Sequence, residues 1–409
     1  MSTVLAPAPR APAPPPPPRP AAVPRPSRVD GIDLLRGLVI ALMVLDHVRD
    51  YFHVSAFAFS PTDLARTTPA LFWTRWVTHL CAPTFAFLAG ASAYLQRSRA
   101  LARGASRAGP ARFLATRGAW LILLEVTVVG FAIDFTFPFL FLQIIWAIGA
   151  ALLLLAPMQW LPPRAVLALG LGVVATHGAV SAATGGATAL LTPGPIPGGM
   201  AGYPLLPWAA IVWAGYGFGG LFARPTDERR RAQLLLAGAA LALFAVLRAL
   251  NGFGDPAPWG VQPRGAAFTA LSVLNVTKYP PSLQYVLLTL AVSLSGGVLL
   301  ERWVEARGAA ARVVGAALRA YGSTPLFTYL LHFYLVHTLA LLAGAASGVP
   351  ARAFVGMIQD PSGLQRAQWG VSLPAVYLVW LAVLALLYGP ARWYARRKVA
   401  GGRWWYRYL

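Results

Sequence analysis

Apolar positions along the chain run in unbroken stretches of about 20 residues, and polar positions cluster between them. The stretches fall at about 32–52, 70–96, 112–134, 138–158, 164–184, 203–223, 232–250, 281–300, 322–346 and 371–391. Continuous runs of this length are what a helix needs to cross a bilayer, whereas a membrane barrel would alternate apolar and polar residues. The pattern therefore predicts an all-α fold, a polytopic transmembrane helical bundle of about ten spans. It places one transmembrane domain over 28–398, between an N-terminal segment 1–27 and a C-terminal segment 399–409.

Composition supports the class. Apolar residues make up 57% and charged residues 11%, with a mean hydropathy of +0.59; soluble chains carry about 25% charged residues. A formal charge of +21 invites a nucleic-acid reading, but the basic residues are distributed as membrane topology requires. Only Arg66, Arg264, Lys278, Arg352 and Arg366 fall on outer loops if both termini are cytoplasmic. This positive-inside asymmetry argues for a multi-pass protein of the bacterial inner (plasma) membrane, with membrane lipids as partners and no nucleic acid. Cys81 is the only cysteine, which excludes an intrachain disulfide.

The flanks read differently. Residues 1–27 hold eleven prolines, including five in a row at 14–18, and no apolar core. That composition predicts a disordered cytoplasmic tail. The ending GGRWWYRYL alternates aromatic rings with arginines, as an interfacial anchor does. No internal repeat is evident, which weakens a transporter built from inverted halves. Small-residue faces make a homodimer one expected arrangement.

Ionisable residues inside apolar spans are costly and mark functional candidates. The stretch LRGLVIALMVLDHVRDYFH at 35–53 places Asp46, His47, Arg49, Asp50 and His53 at one end of the first span. Asp46, Arg49, Asp50 and His53 share a helix face, and His47 points about 100° away from Asp46. The bland reading is an ion pair of Arg49 with Asp46 or Asp50, which leaves the histidines unexplained. The second span adds Arg75 and His79, four residues apart, and then Pro83, expected to kink the helix.

Elsewhere the polar groups are sparse. Glu125 is expected to bind a proton or pair with Arg75 or a histidine. Gln143 and Trp146 lie a turn apart, and Tyr329 and His332 share a face, while His337 points elsewhere. His177 reads as a packing residue. The outer segment 251–280 offers Asp255, Trp259, Asn275, Lys278 and Tyr279 as a sugar- or headgroup-facing lid. The six histidines show no metal-ligand spacing, so no metal is expected. The run GYGFGG at 215–220 has no preceding strand and reads as helix-packing surface.

Several stretches resemble a known family. RVDGIDLLRGLVIALMVLDHVRDYF, PTDLARTTPALFWTRWVTHLCAPTFAFLAGASAYL, LLEVTVV, LQIIWAIG, YPLLPW, LNVTKYPPSL and PLFTYLLH occur in order across about 28–340. They resemble bacterial relatives of heparan-alpha-glucosaminide N-acetyltransferase, in the transmembrane acyltransferase superfamily. The resemblance implies transfer of an acetyl group from cytoplasmic acetyl-CoA to a sugar amine or hydroxyl, on a glycan or lipid-linked acceptor across the membrane. A related branch is similar in having an arginine, ten residues and a catalytic histidine, the spacing of Arg36 and His47 here. The heparan enzyme looks to carry Asn at the position of His47 and Asp at that of His79, which leaves the acceptor open.

The residue types suit that chemistry. Attack on a thioester needs a base, and His47, with His79 assisting, is tuned for it near neutral pH. Asp46 or Asp50 is placed to orient a histidine, and Arg49 or Arg75 to stabilise the oxyanion. Arg36 and the basic loop 97–117 are candidates to hold CoA phosphates. A transporter or flippase using the same charges for substrate or protons, or a non-catalytic scaffold, are the competing classes.

Overall fold

The computed structural model describes residues 30–137, 139–186, 190–401 and 406. The tail expected over 1–27, and most of the expected anchor at 399–409, lie outside them.

The chain begins with α1 (Asp30–Phe52), α2 (Pro69–Thr78), α3 (Cys81–Ala102) and α4 (Ala108–Leu124). A π-helical turn, Glu125–Val129, joins α4 to α5 (Gly130–Asp134) without interruption. Strand β1 (Leu140–Leu142) leads into α6 (Ile144–Leu155) and α7 (Pro163–Ala183). Strands β2 (Gly194–Ile196) and β3 (Gly199–Ala201) precede α8 (Leu205–Gly217) and α9 (Thr226–Leu250). The remainder is α10 (Ala266–Leu274), α11 (Leu283–Glu305), α12 (Ala309–Ser323), α13 (Pro325–Ala346), α14 (Gly363–Arg366) and α15 (Leu373–Ala400).

The molecule is mostly helical, and every expected apolar stretch is helical over most of its length. Among the described residues seven helices are long and apolar enough to cross a membrane: 108–134, 163–183, 205–223, 226–250, 283–305, 325–346 and 373–400. The segment 69–102 is not one helix. Pro83 has no N–H, and its ring crowds the carbonyl four residues back, at His79. The chain responds with an interruption at His79–Leu80, where the kink is expected, and both residues keep right-handed helical dihedrals. The His79 carbonyl accepts instead from the Tyr285 hydroxyl at 2.8 Å.

Helix α1 is the hub, touching α2, α3, α11, α12, α13 and α15. Gly37 lies on the Leu318 carbonyl and Gly322 on the Asp33 carbonyl, leaving no room for a Cβ at either. The same device joins α3 to α8, where Gly90 meets Val212 and Gly215 meets Phe87. The GYGFGG run is thus a packing surface. At the Asp30 end of α1, Glu301 accepts from Arg229 at 2.7 and 3.0 Å and from Arg230 at 3.1 Å.

One element departs from the all-α expectation. β1 pairs parallel with β3, and β2 pairs antiparallel with β3, in the order β1-β3-β2. Three-residue strands are too short to show an alternating pattern. Phe141 and Met200, opposite each other across the β1–β3 ladder, both face the site described next.

Candidate active site

The apolar run of α1 brings His47 against α13. His47 Nδ1 and His332 Nε2 are 2.6 Å apart, so one nitrogen donates and the other accepts. The two rings lie edge to edge and nearly coplanar, with 14° between their planes and centroids 4.9 Å apart, and Phe333 stacks on His47 at 4.3 Å. His332 is fully buried, and its Nδ1 has no partner among the described residues. Tyr329, one turn earlier on α13, meets His332 edge-on at 5.5 Å, and its hydroxyl is likewise unpartnered.

Beside this pair lies a buried charge network. Arg75 on α2 donates to Asp46 Oδ2, while Asp46 Oδ1 accepts from Thr78 Oγ1 at 2.8 Å and faces Arg49 Nη2 at 3.0 Å. The same Arg49 nitrogen lies 2.5 Å from Asp50 Oδ1. A carboxylate shared by two arginines and a hydroxyl is compensated for its loss of water. Asp46 and Asp50, the carboxylates expected to orient a histidine, are both held by arginine. His79, the expected assistant base, does not line the cavity that His47 faces. It is buried behind Arg75, edge-on to Tyr285 at 5.7 Å, with Nδ1 unpartnered, and lines neither cavity described here.

Two cavities flank the histidine pair. The first, about 340 Å3, is lined by Asp46, His47, Asp50 and Arg75, with Gln143, Tyr203 and Tyr279 opposite. The second, about 280 Å3, lies toward the Arg36 end of α1. Arg36, Ser92, Gln96, Arg117 and Lys398 supply its polar lining; Phe113, Ile145 and Leu326 are among its apolar walls, and Tyr329 also lines it. Arg36 donates to Ser92 Oγ and, at 3.4 Å, to the Leu88 carbonyl. Arg36 and His47 are eleven residues apart on one helix, about 16 Å at 1.5 Å per residue. His332 lines neither cavity and sits between Tyr329 of one and His47 of the other.

The remaining candidates divide. Glu125 does not pair with Arg75 or a histidine; its carboxylate accepts from the backbone N–H of Gln143 at 2.7 Å and of Trp146 at 3.3 Å, capping α6. Gln143 reaches the first cavity and Trp146 reaches neither. From the outer segment only Tyr279 lines the cavity, hydrogen-bonded to Tyr203 at 3.1 Å, with the Lys278 ammonium 5.0 Å from its ring. Burial pushes the Tyr279 hydroxyl up, but Lys278 and Arg75 outweigh it and hold the group below its ordinary value.

Asp255, Trp259 and Asn275 are not lid residues in contact with the cavity. Asp255 accepts from Thr277 and Ser282, Trp259 donates to the Arg248 carbonyl at 2.9 Å, and Asn275 donates to Thr62 at 3.0 Å. They tie the segment together. Arg117, at the end of the basic loop 97–117, shares the second cavity with Arg36, whereas Lys398, Tyr203 and Phe333 were not singled out in sequence. Lys398 looks like a topological charge there, and the other two like ordinary aromatics. His177 and His337 hydrogen-bond to backbone carbonyls. Among the described residues no group of three His, Cys, Asp or Glu is arranged to hold a metal.

Membrane-length helices around a buried histidine pair and an arginine–carboxylate network define a membrane protein with an internal polar site. The model of the family described as heparan-alpha-glucosaminide N-acetyltransferase, catalytic, matches residues 28–251. The chain belongs to that family. No curated protein matches it in a sequence comparison.

Proposed function

We propose that the protein is an integral-membrane acyltransferase that moves an acetyl or other acyl group from cytoplasmic acyl-CoA to a sugar amine or hydroxyl on the outer side. The observation that carries this reading is the position of the His47–His332 pair between two cavities. With ten spans and both termini inside, in a bacterial inner membrane, the Arg36 cavity opens inward and the His47 cavity outward. The inner lining suits a CoA thioester: Arg36, Arg117 and Lys398 match phosphates, and the apolar wall matches the pantetheine arm.

Each residue then has a role. His47 takes the proton from the acceptor amine or hydroxyl as it attacks the acyl carbon. His332, hydrogen-bonded to the other side of that base, fixes its tautomer and shares the charge. Arg75 and the Tyr279 hydroxyl face the same cavity and stabilise negative charge developing on the acyl oxygen. Asp46 holds Arg75 and Arg49 in place. The proton returns from the histidine pair to the departing thiolate.

Release of CoA thiol from acetyl-CoA by the purified protein, with a mixed glycan acceptor, tests this. His47→Ala and His332→Ala should each lower the rate by about 10²-fold or more while folded yield is kept. Full activity in both would remove the pair from the mechanism.

A transporter or flippase is the second reading, because cavities toward opposite ends of α1 are also what alternating access uses. It requires saccharide or lipid movement into liposomes without thiol release and without CoA binding.

A further inference from the structure

The basic loop 97–117 divides between two places in the fold. Arg117 lines the Arg36 cavity. Arg97 and Arg107 line neither cavity and lie against the 3-10 turn Pro157–Trp160, which follows α6.

Arg97, near the end of α3, is buried to 8% exposure. Its one hydrogen bond among the described residues is long. Nη2 donates to the Gln159 carbonyl at 3.4 Å, and Nε has no acceptor there. Arg107 Nη1 donates to the next carbonyl, that of Trp160, at 3.0 Å. Two guanidinium groups thus converge on consecutive carbonyl oxygens of one turn. Both also act on the fully buried Tyr216 hydroxyl of α8, so their fields overlap.

Neither arginine has a carboxylate partner among the described residues. The sequence explains this: no Asp or Glu occurs between Asp63 and Glu125, or between Asp134 and Asp227. A buried guanidinium is costly unless it is neutralised. Arg229 and Arg230, buried to a similar degree, share Glu301. Arg97 and Arg107 have only neutral carbonyls between them, which makes the turn a place for an anion from outside the chain.

The surroundings say which kind. Trp160 is 54% exposed and Leu161 44%, and the membrane-length helix α7 begins two residues later at Pro163. A tryptophan at a helix entry belongs at the level of lipid headgroups. Paired arginines match the oxygens of a phosphate, and the exposed apolar side chains match acyl chains. The positive-inside pattern puts this end of α3 at the cytoplasmic face, where basic pockets between helices attract anionic lipids.

We propose that Arg97 and Arg107 clamp the phosphodiester of an anionic phospholipid, such as phosphatidylglycerol, at the junction of α3 with the 157–160 turn. The lipid supplies the counter-charge that the chain lacks. The site does not depend on the acyl-transfer reading.

Native mass spectrometry of the full-length protein tests it. The protein is delipidated in detergent, then given equal amounts of phosphatidylglycerol and phosphatidylcholine with the same acyl chains. The wild type should retain phosphatidylglycerol about tenfold over phosphatidylcholine. Arg107→Gln, at an exposed position, should lower that ratio about threefold or more, and Arg97→Gln with Arg107→Gln should bring it within about twofold of unity. Arg103→Gln with Arg112→Gln removes two exposed charges of the same region and should leave the ratio within about twofold of wild type. If the variant lacking both Arg97 and Arg107 does not elute as folded protein, Arg107→Gln alone decides. Equal retention of the two lipids by the wild type, or a preference that Arg107→Gln leaves intact, would overturn the site. An equal loss in the Arg103 and Arg112 control would reduce it to general attraction by the basic face. Displacement of the lipid by inorganic phosphate or by coenzyme A would overturn the lipid assignment in favour of a soluble phosphate ester.

Discussion

At the scale of single residues, the polar end of α1 was visible in the sequence and its pairings were not. Asp46, His47, Arg49 and Asp50 stand out because ionisable groups in an apolar run demand compensation. Helical spacing also gives the Arg49 pairs with Asp46 and Asp50, since both are local. The partner of His47 lies 285 positions away on α13, and spacing along one helix carries no information about it. Tyr279 illustrates the same limit: its outer segment was a candidate, but only the fold puts its hydroxyl against Tyr203 and near Arg75. A pH profile tests its role. A tyrosine that donates to the acyl oxygen stops donating once it ionises, and Lys278 and Arg75 move that ionisation below the ordinary tyrosine value of about 10. The wild-type rate should therefore fall at alkaline pH along a limb that begins below pH 10. Tyr279→Phe should lower the neutral-pH rate and erase that limb. A limb that persists in the variant would assign the ionisation to another group.

At the scale of elements, helices were legible and their interruptions only partly so. Apolar runs of about 20 residues mark helices wherever backbone groups must be satisfied without water. Pro83 signals a defect in the second run, yet the sequence does not say which group answers the carbonyl that the proline displaces. The answer comes from α11, whose Ser282 cap starts the helix and sets Tyr285 three residues on, fully buried, with its hydroxyl on the His79 carbonyl. Glu125 works in a similar way, as a buried cap on α6 and not as the ion-pair partner its charge suggested. The Tyr285 contact gives a stability prediction. Tyr285→Phe keeps the ring packing and strands one buried carbonyl, a cost of about 1–3 kcal/mol. Thermal unfolding in detergent should show a lower Tm, with His47-dependent activity retained at temperatures where the variant is folded. An unchanged Tm would mean that another donor reaches the His79 carbonyl.

At the scale of the whole molecule, the sequence carries an expectation of direction and the fold supplies the chamber. The basic residues and apolar runs imply which end of α1 faces inward, a property spread over the entire chain and hence readable without any contact. The cavities are not readable in that way. Their linings come from α1, α3, α4, α6, α12, α13 and α15 on one side, and from α1, α2, α5, α13, the small sheet and the loop segments around 57, 279 and 357 on the other. Donor and acceptor chemistry meet across the histidine pair only if the Arg36 cavity opens inward and the His47 cavity outward, so sidedness is the assumption on which the functional reading stands. The chain is well suited to a direct test, because its single cysteine, Cys81, is buried and should stay silent to a thiol reagent. Ser106 lies in the exposed turn between α3 and α4, and Thr62 in the loop between α1 and α2. With a membrane-impermeant maleimide on intact spheroplasts, Thr62→Cys should label at once and Ser106→Cys only after lysis. Those two positions lie on either side of the α2–α3 segment, so the pattern would also establish that this broken helix crosses the bilayer. The reverse pattern would invert the protein and place the basic cavity, with Arg36, Arg117 and Lys398, on the side where no cytoplasmic acyl-CoA is present. Equal labelling of both before lysis would mean that α2 and α3 form a re-entrant pair, and a single chamber reached from one face would replace transfer across the membrane.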